Sequence, residues 1–144
     1  QLRKKNQRIL SRTVNSSSIP LTREDRHKIC SLALQASVEA MGLKLFVNNE
    51  SRLNSVVGIN LPTGIDGKQV LNTMSALYKV EISGSFGLPI VRIGQMGEQS
   101  RAHNLFRTLH ALGMSMKHAG AQIDLPSGMA ALERALAVSD NITA

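Results

Sequence analysis

Arg92 is the residue of this 144-residue chain whose type and setting point most directly to chemistry. It lies in Leu88-Pro89-Ile90-Val91-Arg92-Ile93-Gly94-Gln95-Met96-Gly97, a short apolar run of β type with one cation, followed by a glycine-bracketed turn. A cation in a strand that reads as buried calls for an anionic partner, because an unpaired buried charge is too costly to keep. Guanidinium grips a carboxylate through two parallel N–H bonds. Gly94 and Gly97 let the chain turn sharply and let a ligand or another backbone come close. The stretch reads as a carboxylate clamp at the end of a strand or, more plainly, as a structural salt bridge.

Other reactive side chains point to less. His103 and His110 are seven residues apart and could share a helix face, but no ordered carboxylate pair accompanies them. With His27 and His118 they read as solvated or capping residues, and no metal site is expected. No serine sits in a nucleophile elbow, and Gly84 to Gly87 is too short to cradle a phosphate. Ser100 and Arg101 at a helix start could meet an anion, although a plain N-cap suits them better. Cys30 is the only cysteine, so an intrachain disulfide is excluded. Leu32, Leu34 and Val38 lie near it on a helical pattern, which makes it a small buried apolar residue.

Composition narrows the partners. The net charge of +7 is concentrated at one end, where residues 1–28 carry +6 of it. That arm could bind a polyanion, but a solvated basic segment is the simpler reading. Only Phe46, Tyr78, Phe86 and Phe106 are aromatic, too few for base stacking, and nucleic acid is not expected as a partner. The core must be aliphatic, with Met74, Met96, Met114, Met116 and Met129 as filling. No apolar run has membrane-spanning length and no signal-peptide pattern is present, so a soluble, cytoplasmic chain is expected.

The elements that must position Arg92 follow from periodicity. Residues 1–21 read as a basic arm and linker, and 22–144 as one domain. Thr22 caps a first helix with Glu24 and Asp25 in its first turn. Ile29, Leu32, Ala33, Ala36, Val38 and Met41 recur along that helix, and Gly42 stops it. Leu43 to Val47 and Ser55 to Leu61 read as strands around a polar turn. Asp66 and Lys68 open a second helix with Val70, Leu71, Met74 and Leu77 on one face. Lys79 to Ser83 reads as a third strand, Gly84 to Gly87 as a flexible loop, and the arginine strand follows. A long helix from Ser100 to His118 carries Leu105, Leu109, Leu112 and Met116, and a last helix runs from about Ser127 to Val138. The order predicts an α+β two-layer domain, a short mixed or antiparallel sheet of about four strands backed by helices.

Four pieces in register carry a family resemblance. They are Arg26-His27 in a helix ending Ala40-Met41-Gly42-Leu43-Lys44-Leu45-Phe46, then Pro62-Thr63-Gly64-Ile65-Asp66, then Tyr78 ahead of Val80-Glu81-Ile82-Ser83-Gly84, and finally Arg92-Ile93-Gly94-Gln95-Met96-Gly97. From about residue 22 to 138 the chain resembles the small C-terminal domain of the class V aminotransferases, pyridoxal-phosphate enzymes of fold type I. The likeness is to the glyoxylate and pyruvate branch. It implies that Arg92 holds the carboxylate of a small amino or keto acid. Gln95 stands where the family commonly has a histidine, and Gly84 to Gly87 resembles a shortened form of its glycine-rich segment near the substrate mouth.

The resemblance also implies a large domain that holds pyridoxal phosphate on a lysine, with an aspartate at the ring nitrogen. Nothing in this sequence resembles that domain. Lys28, Lys44, Lys68, Lys79 and Lys117 lack the family's lysine context, so no cofactor and no transamination are expected of the chain alone. Its expected partners are a cofactor domain or a second copy. The alternative is a non-catalytic module that binds a protein through the apolar surface such a domain would cover.

Overall fold

The computed structural model describes residues 22–46, 56–85, 87–94 and 101–138. The basic arm (1–21), the turn from Asn48 to Asn54, Phe86, the Gln95-Met96-Gly97 turn and Ser100 lie outside the described residues. The elements are α1 (Arg23–Ala40), β1 (Lys44–Leu45), β2 (Val56–Asn60), α2 (Gly67–Tyr78), β3 (Ser83–Ser85), β4 (Leu88–Gly94), α3 (Ala102–His118) and α4 (Leu125–Ala137). This is the order expected from the sequence. The four strands form one open sheet in the order β1-β2-β4-β3, with every pairing antiparallel.

Local chemistry explains where the helices begin and end. Thr22 Oγ1 accepts from the Asp25 N–H at 3.0 Å, and the Asp25 carboxylate accepts from the Thr22 N–H at 3.2 Å. This reciprocal box satisfies two N–H groups that a helix start leaves without partners. At the other end Gly42, with φ of 92°, turns the chain out of α1. The Leu43 N–H then donates to Val38 O and the Gly42 N–H to Glu39 O, which closes a Schellman motif over two buried apolar side chains. Gly120 ends α3 in the same way, with Ala121 N–H donating to Met116 O and Gly120 N–H to Lys117 O. Asp124 caps α4 by accepting from the backbone N–H and the hydroxyl of Ser127, which holds its carboxyl below the usual value.

Three expectations from periodicity need correction. The segment from Lys79 to Ser83 is not a strand. Lys79 leaves α2 in the left-handed conformation and the Val80 N–H donates back to Met74 O, so pairing begins only at Ser83. Gly84 and Ser85 thereby belong to a strand and not to a loop. Leu77 is 63% exposed, because the buried stripe of α2 runs through Val70 and Met74 with Tyr78 packed behind them. In α1, Ala36 is exposed and Leu32 half-buried. Ile29, Cys30, Ala33, Leu34 and Val38 are buried instead, because α1 is covered by the sheet, α3 and α4 together. The stripe of Leu105, Leu109, Leu112 and Met116 is buried as expected. Met74 and Met116 are buried, and Met114 and Met129 pack against the core.

The helices meet at glycine contacts around Met41. A Cβ at Gly128 would overlap the Met41 side chain and lie 3.1 Å from the Ser37 carbonyl, while one at Gly113 would come within 2.6 Å of Leu125 Cδ1. The helices pack this closely because those positions carry no side chain. None of the described helices is long and apolar enough to cross a membrane.

Two outcomes follow from this packing. Gly128→Ala forces a methyl against Met41 and the α1 backbone, and we expect a loss of about 1–3 kcal/mol in urea unfolding. Adding Met41→Ala should not deepen that loss by the full cost of a core truncation, since the two changes share one space. Cys30 is buried in the core, where desolvation pushes its thiol up to about 11. It should resist a thiol reagent at pH 8 and react at once when urea unfolds the chain. Because the folded state holds that proton more tightly, Cys30 contributes a fall in stability as pH rises from about 9 towards 11. Cys30→Ala should lack that component.

Candidate carboxylate site

Strand β4 lies between β2 and β3, so it is hydrogen-bonded along both edges. Its alternate residues Val91 and Ile93 turn to the helices and are buried, as are Val57 and Ile59, their partners across or along the ladder in β2. By the same alternation Arg92 turns to the opposite face of the sheet and is exposed. An arginine buried within the strand is therefore not what the fold contains. No carboxylate of the described residues lies within salt-bridge distance of it, so among them the plain salt-bridge reading finds no partner.

Antiparallel register sets its neighbours. Gly58 of β2 lies directly across from Arg92 on one side and Ser83 of β3 on the other. Residues so paired share a face. Gly58 offers no side chain, and the space above it is bounded by Phe46, whose Cβ would be 3.3 Å from a Cβ added there. On the β3 side an open hollow of about 390 Å³ is lined by Glu81, Ile82, Ser83, Arg92, Ile93 and Gly94. Glu81 is one of these lining residues, and its carboxylate accepts from the Ser75 hydroxyl at 3.2 Å. Arg92 Nη2 donates to the Gly84 carbonyl at 2.9 Å. The arrangement presents a permanently charged N–H donor set beside a hydroxyl in an open hollow, which suits a small anion with planar oxygens.

The remaining candidates are dispersed. His103, His110 and His118 lie along exposed positions of α3, and His27 is half-buried in α1. His110 packs edge-on against Tyr78, with ring centroids 5.8 Å apart. Among the described residues no group of three metal-binding side chains comes together. Arg101 is the N-cap of α3 but its side chain makes no capping bond there.

Pyridoxal phosphate does not fit these residues. It needs a lysine amine beside the bound substrate and a carboxylate at its ring nitrogen. Lys28 stands 4.0 Å from Glu24 on α1, and Lys79 Nζ donates to Ala76 O at the end of α2. Lys68 opens α2 and Lys117 lies in the last turn of α3. Lys44 shares the outer face of the sheet but stands opposite Asn60, two strands from Arg92. None lines the hollow.

Sequence reasoning missed Gly58, Ser83 and the Gly84 carbonyl as neighbours of Arg92. Strict alternation through Val91-Arg92-Ile93 was the signal for its outward direction, but the partners across the ladder depend on register, which a single strand does not encode.

No family model matches the chain. It is similar to (S)-ureidoglycine–glyoxylate transaminase of Bacillus subtilis, 36% identical over 123 residues that cover 83% of this chain and 29% of the relative. It is similar to alanine–glyoxylate aminotransferase of Drosophila melanogaster, 37% identical over 69% of this chain and 27% of the relative. The crystal structure of ureidoglycine–glyoxylate aminotransferase from Bacillus subtilis superposes with a TM-score of 0.77 at 33% identity, covering 81% of this chain and 31% of that one. That of pyridoxamine–pyruvate aminotransferase from Mesorhizobium loti gives 0.70 at 32% identity, over 78% of this chain and 29% of that one. The chain spans less than a third of the length of these proteins. Over about four-fifths of its own length it is homologous to a small domain of the ureidoglycine–glyoxylate, alanine–glyoxylate and pyridoxamine–pyruvate aminotransferases.

Proposed function

We propose that this chain supplies the substrate-carboxylate arginine of a pyridoxal-phosphate aminotransferase that uses a small keto acid, glyoxylate or pyruvate. The observation that carries the reading is the placement of Arg92. It is exposed beside a hollow, flanked by Gly58 and Ser83, and lies in a strand that the helices hold from behind. A carboxylate there meets an always-charged fork that holds it in one orientation. Orientation of this kind is what a transamination site requires of the residue that holds the α-carboxylate, the group bonded directly to the reacting carbon.

The division of labour follows from the lysines. When bound, pyridoxal phosphate supplies the electron sink of transamination. We assign it to a cofactor domain of the kind that makes up the larger part of the relatives, docked on this chain. The chain by itself binds and orients a carboxylate and is inactive in transamination. A second reading, a protein-interaction module without catalysis, is favoured by Phe46 and Val56, which stand 44% and 40% exposed beside Gly58.

Two measurements separate these readings. In ¹⁵N spectra of the chain, addition of pyruvate at tens of millimolar should shift the Arg92 Nε–H signal and leave that of Arg107 in α3 unmoved. Arg92→Lys should remove the response, since a single ammonium cannot reproduce the fork. An unshifted Arg92 would leave the interaction module as the better reading. Separately, incubation with pyridoxal phosphate and borohydride should give scattered or absent labelling by intact mass. A stoichiometric adduct on one lysine would refute the assignment of the cofactor to another domain.

A further inference from the structure

Arg92 does not project freely from the sheet, and what holds it gives the site a second functional residue; this step rests on the carboxylate reading above. Its Nη2 donates at 2.9 Å to the carbonyl of Gly84, which belongs to the neighbouring edge strand β3. Gly84 is not the residue across from Arg92. It lies opposite Val91, and the register shifts immediately after it, between Gly84 and Ser85. Such irregularities re-aim groups at the margin of a sheet.

Gly84 is itself seated from below. A Cβ there would lie 3.3 Å from Leu71 Cδ1 of α2 and 4.0 Å from the Ile90 carbonyl. The absence of a side chain lets β3 rest this closely on α2, and that contact sets the height of the Gly84 carbonyl above the helices. A chain of placement then runs from Leu71 to the Gly84 backbone, to its carbonyl, and to the guanidinium.

We propose that the Gly84 carbonyl is the positioning group of the carboxylate site. An arginine side chain has four rotatable bonds and loses much freedom when it binds. A hydrogen bond from one Nη2 N–H to a fixed carbonyl restricts the guanidinium before the ligand arrives and leaves its other N–H groups for the carboxylate. Affinity gained in this way comes from preorganisation and not from a new contact to the ligand. Ser83 and Gly94, on the same hollow, bound the space the carboxylate enters.

The direct test weakens the acceptor without changing a side chain. Replacing Ser85 by its α-hydroxy analogue in the full chain turns the Gly84–Ser85 amide into an ester, whose carbonyl accepts a hydrogen bond less well. Two readouts matter, the rotation of the Arg92 guanidinium seen in its ¹⁵N-detected Nη signals, and the affinity of Arg92 for pyruvate. We expect faster rotation and about three- to tenfold weaker pyruvate binding, the worth of one exposed hydrogen bond, with pyruvate still shifting Arg92. Should the ester variant fail to fold in urea titration, Gly84→Ala takes its place. Its methyl presses on Leu71 and should loosen Arg92 in the same two readouts, and Leu71→Ala added to it should restore both.

The outcomes are separable. If the parent chain binds pyruvate at Arg92 and neither rotation nor affinity changes on weakening or displacing the Gly84 carbonyl, the positioning role is overturned while the carboxylate site stands. If pyruvate leaves Arg92 of the parent unshifted, the carboxylate reading falls and takes the positioning role with it.

Discussion

The constraint on which the site depends is that β4 is hydrogen-bonded on both sides while only one face of its sheet is covered by helices. Pairing to β2 and β3 fixes the rise and direction of the strand. Burial of Val91 and Ile93 then fixes its rotation, because slipping by one residue would carry both out of the core. Each is worth roughly 1.5–3 kcal/mol when fully buried. Together they outweigh what a single exposed arginine could gain by any competing arrangement. Arg92 is thus presented outward by the apolar residues on either side of it.

This resolves the energetic difficulty that a cation in an apolar strand first raises. A buried guanidinium without a carboxylate would carry a desolvation penalty of several kcal/mol. On the open face the charge stays hydrated, and one of its N–H groups meets the Gly84 carbonyl. A surface hydrogen bond of this kind contributes about 1 kcal/mol. That is enough to bias a flexible side chain and too little to close it against a ligand. A permanent salt bridge at the same place would have competed with any carboxylate arriving from solution. The nearby Glu81 does not play that part, since it lies beyond salt-bridge distance from Arg92 and takes the Ser75 hydroxyl.

Much of the architecture is legible in the residues because local signals and packing agree there. Thr22 with Asp25 starts α1, Gly42 and Gly120 end helices, and the four-residue stripe of α3 is buried along its whole length. Disagreement arises where tertiary packing decides. Val80 and Ile82 have strand-like composition, but α2 leaves through a left-handed Lys79 and consumes that stretch in its exit. Leu77 fits a helical period, yet α2 is covered by β3, β4 and α3 from directions that leave it outside. The arginine was identifiable as a candidate from its type and motif. Its exposure is not legible in composition: apolar neighbours suggest a wholly buried strand, whereas Arg92 turns outward between the buried Val91 and Ile93.

A sheet with one open face also bears on the proposed division of labour between this unit and a cofactor domain. The helical layer covers Val57, Ile59, Val91 and Ile93, and the other face carries Arg92, Ser83, the bare Gly58, Lys44, Asn60, Ile90 and Leu88, with the exposed Phe46 and Val56 at its margin. A charge near exposed apolar side chains is poorly suited to remain fully hydrated once another surface approaches. Covering Phe46 and Val56 would strip water from around Arg92 and lower the local dielectric, which strengthens a guanidinium–carboxylate bond. The same approach that buries the apolar margin therefore tightens the grip of the arginine. If a cofactor domain docks there as proposed, its docking and the binding of a carboxylate at Arg92 would be coupled through a shared loss of solvent.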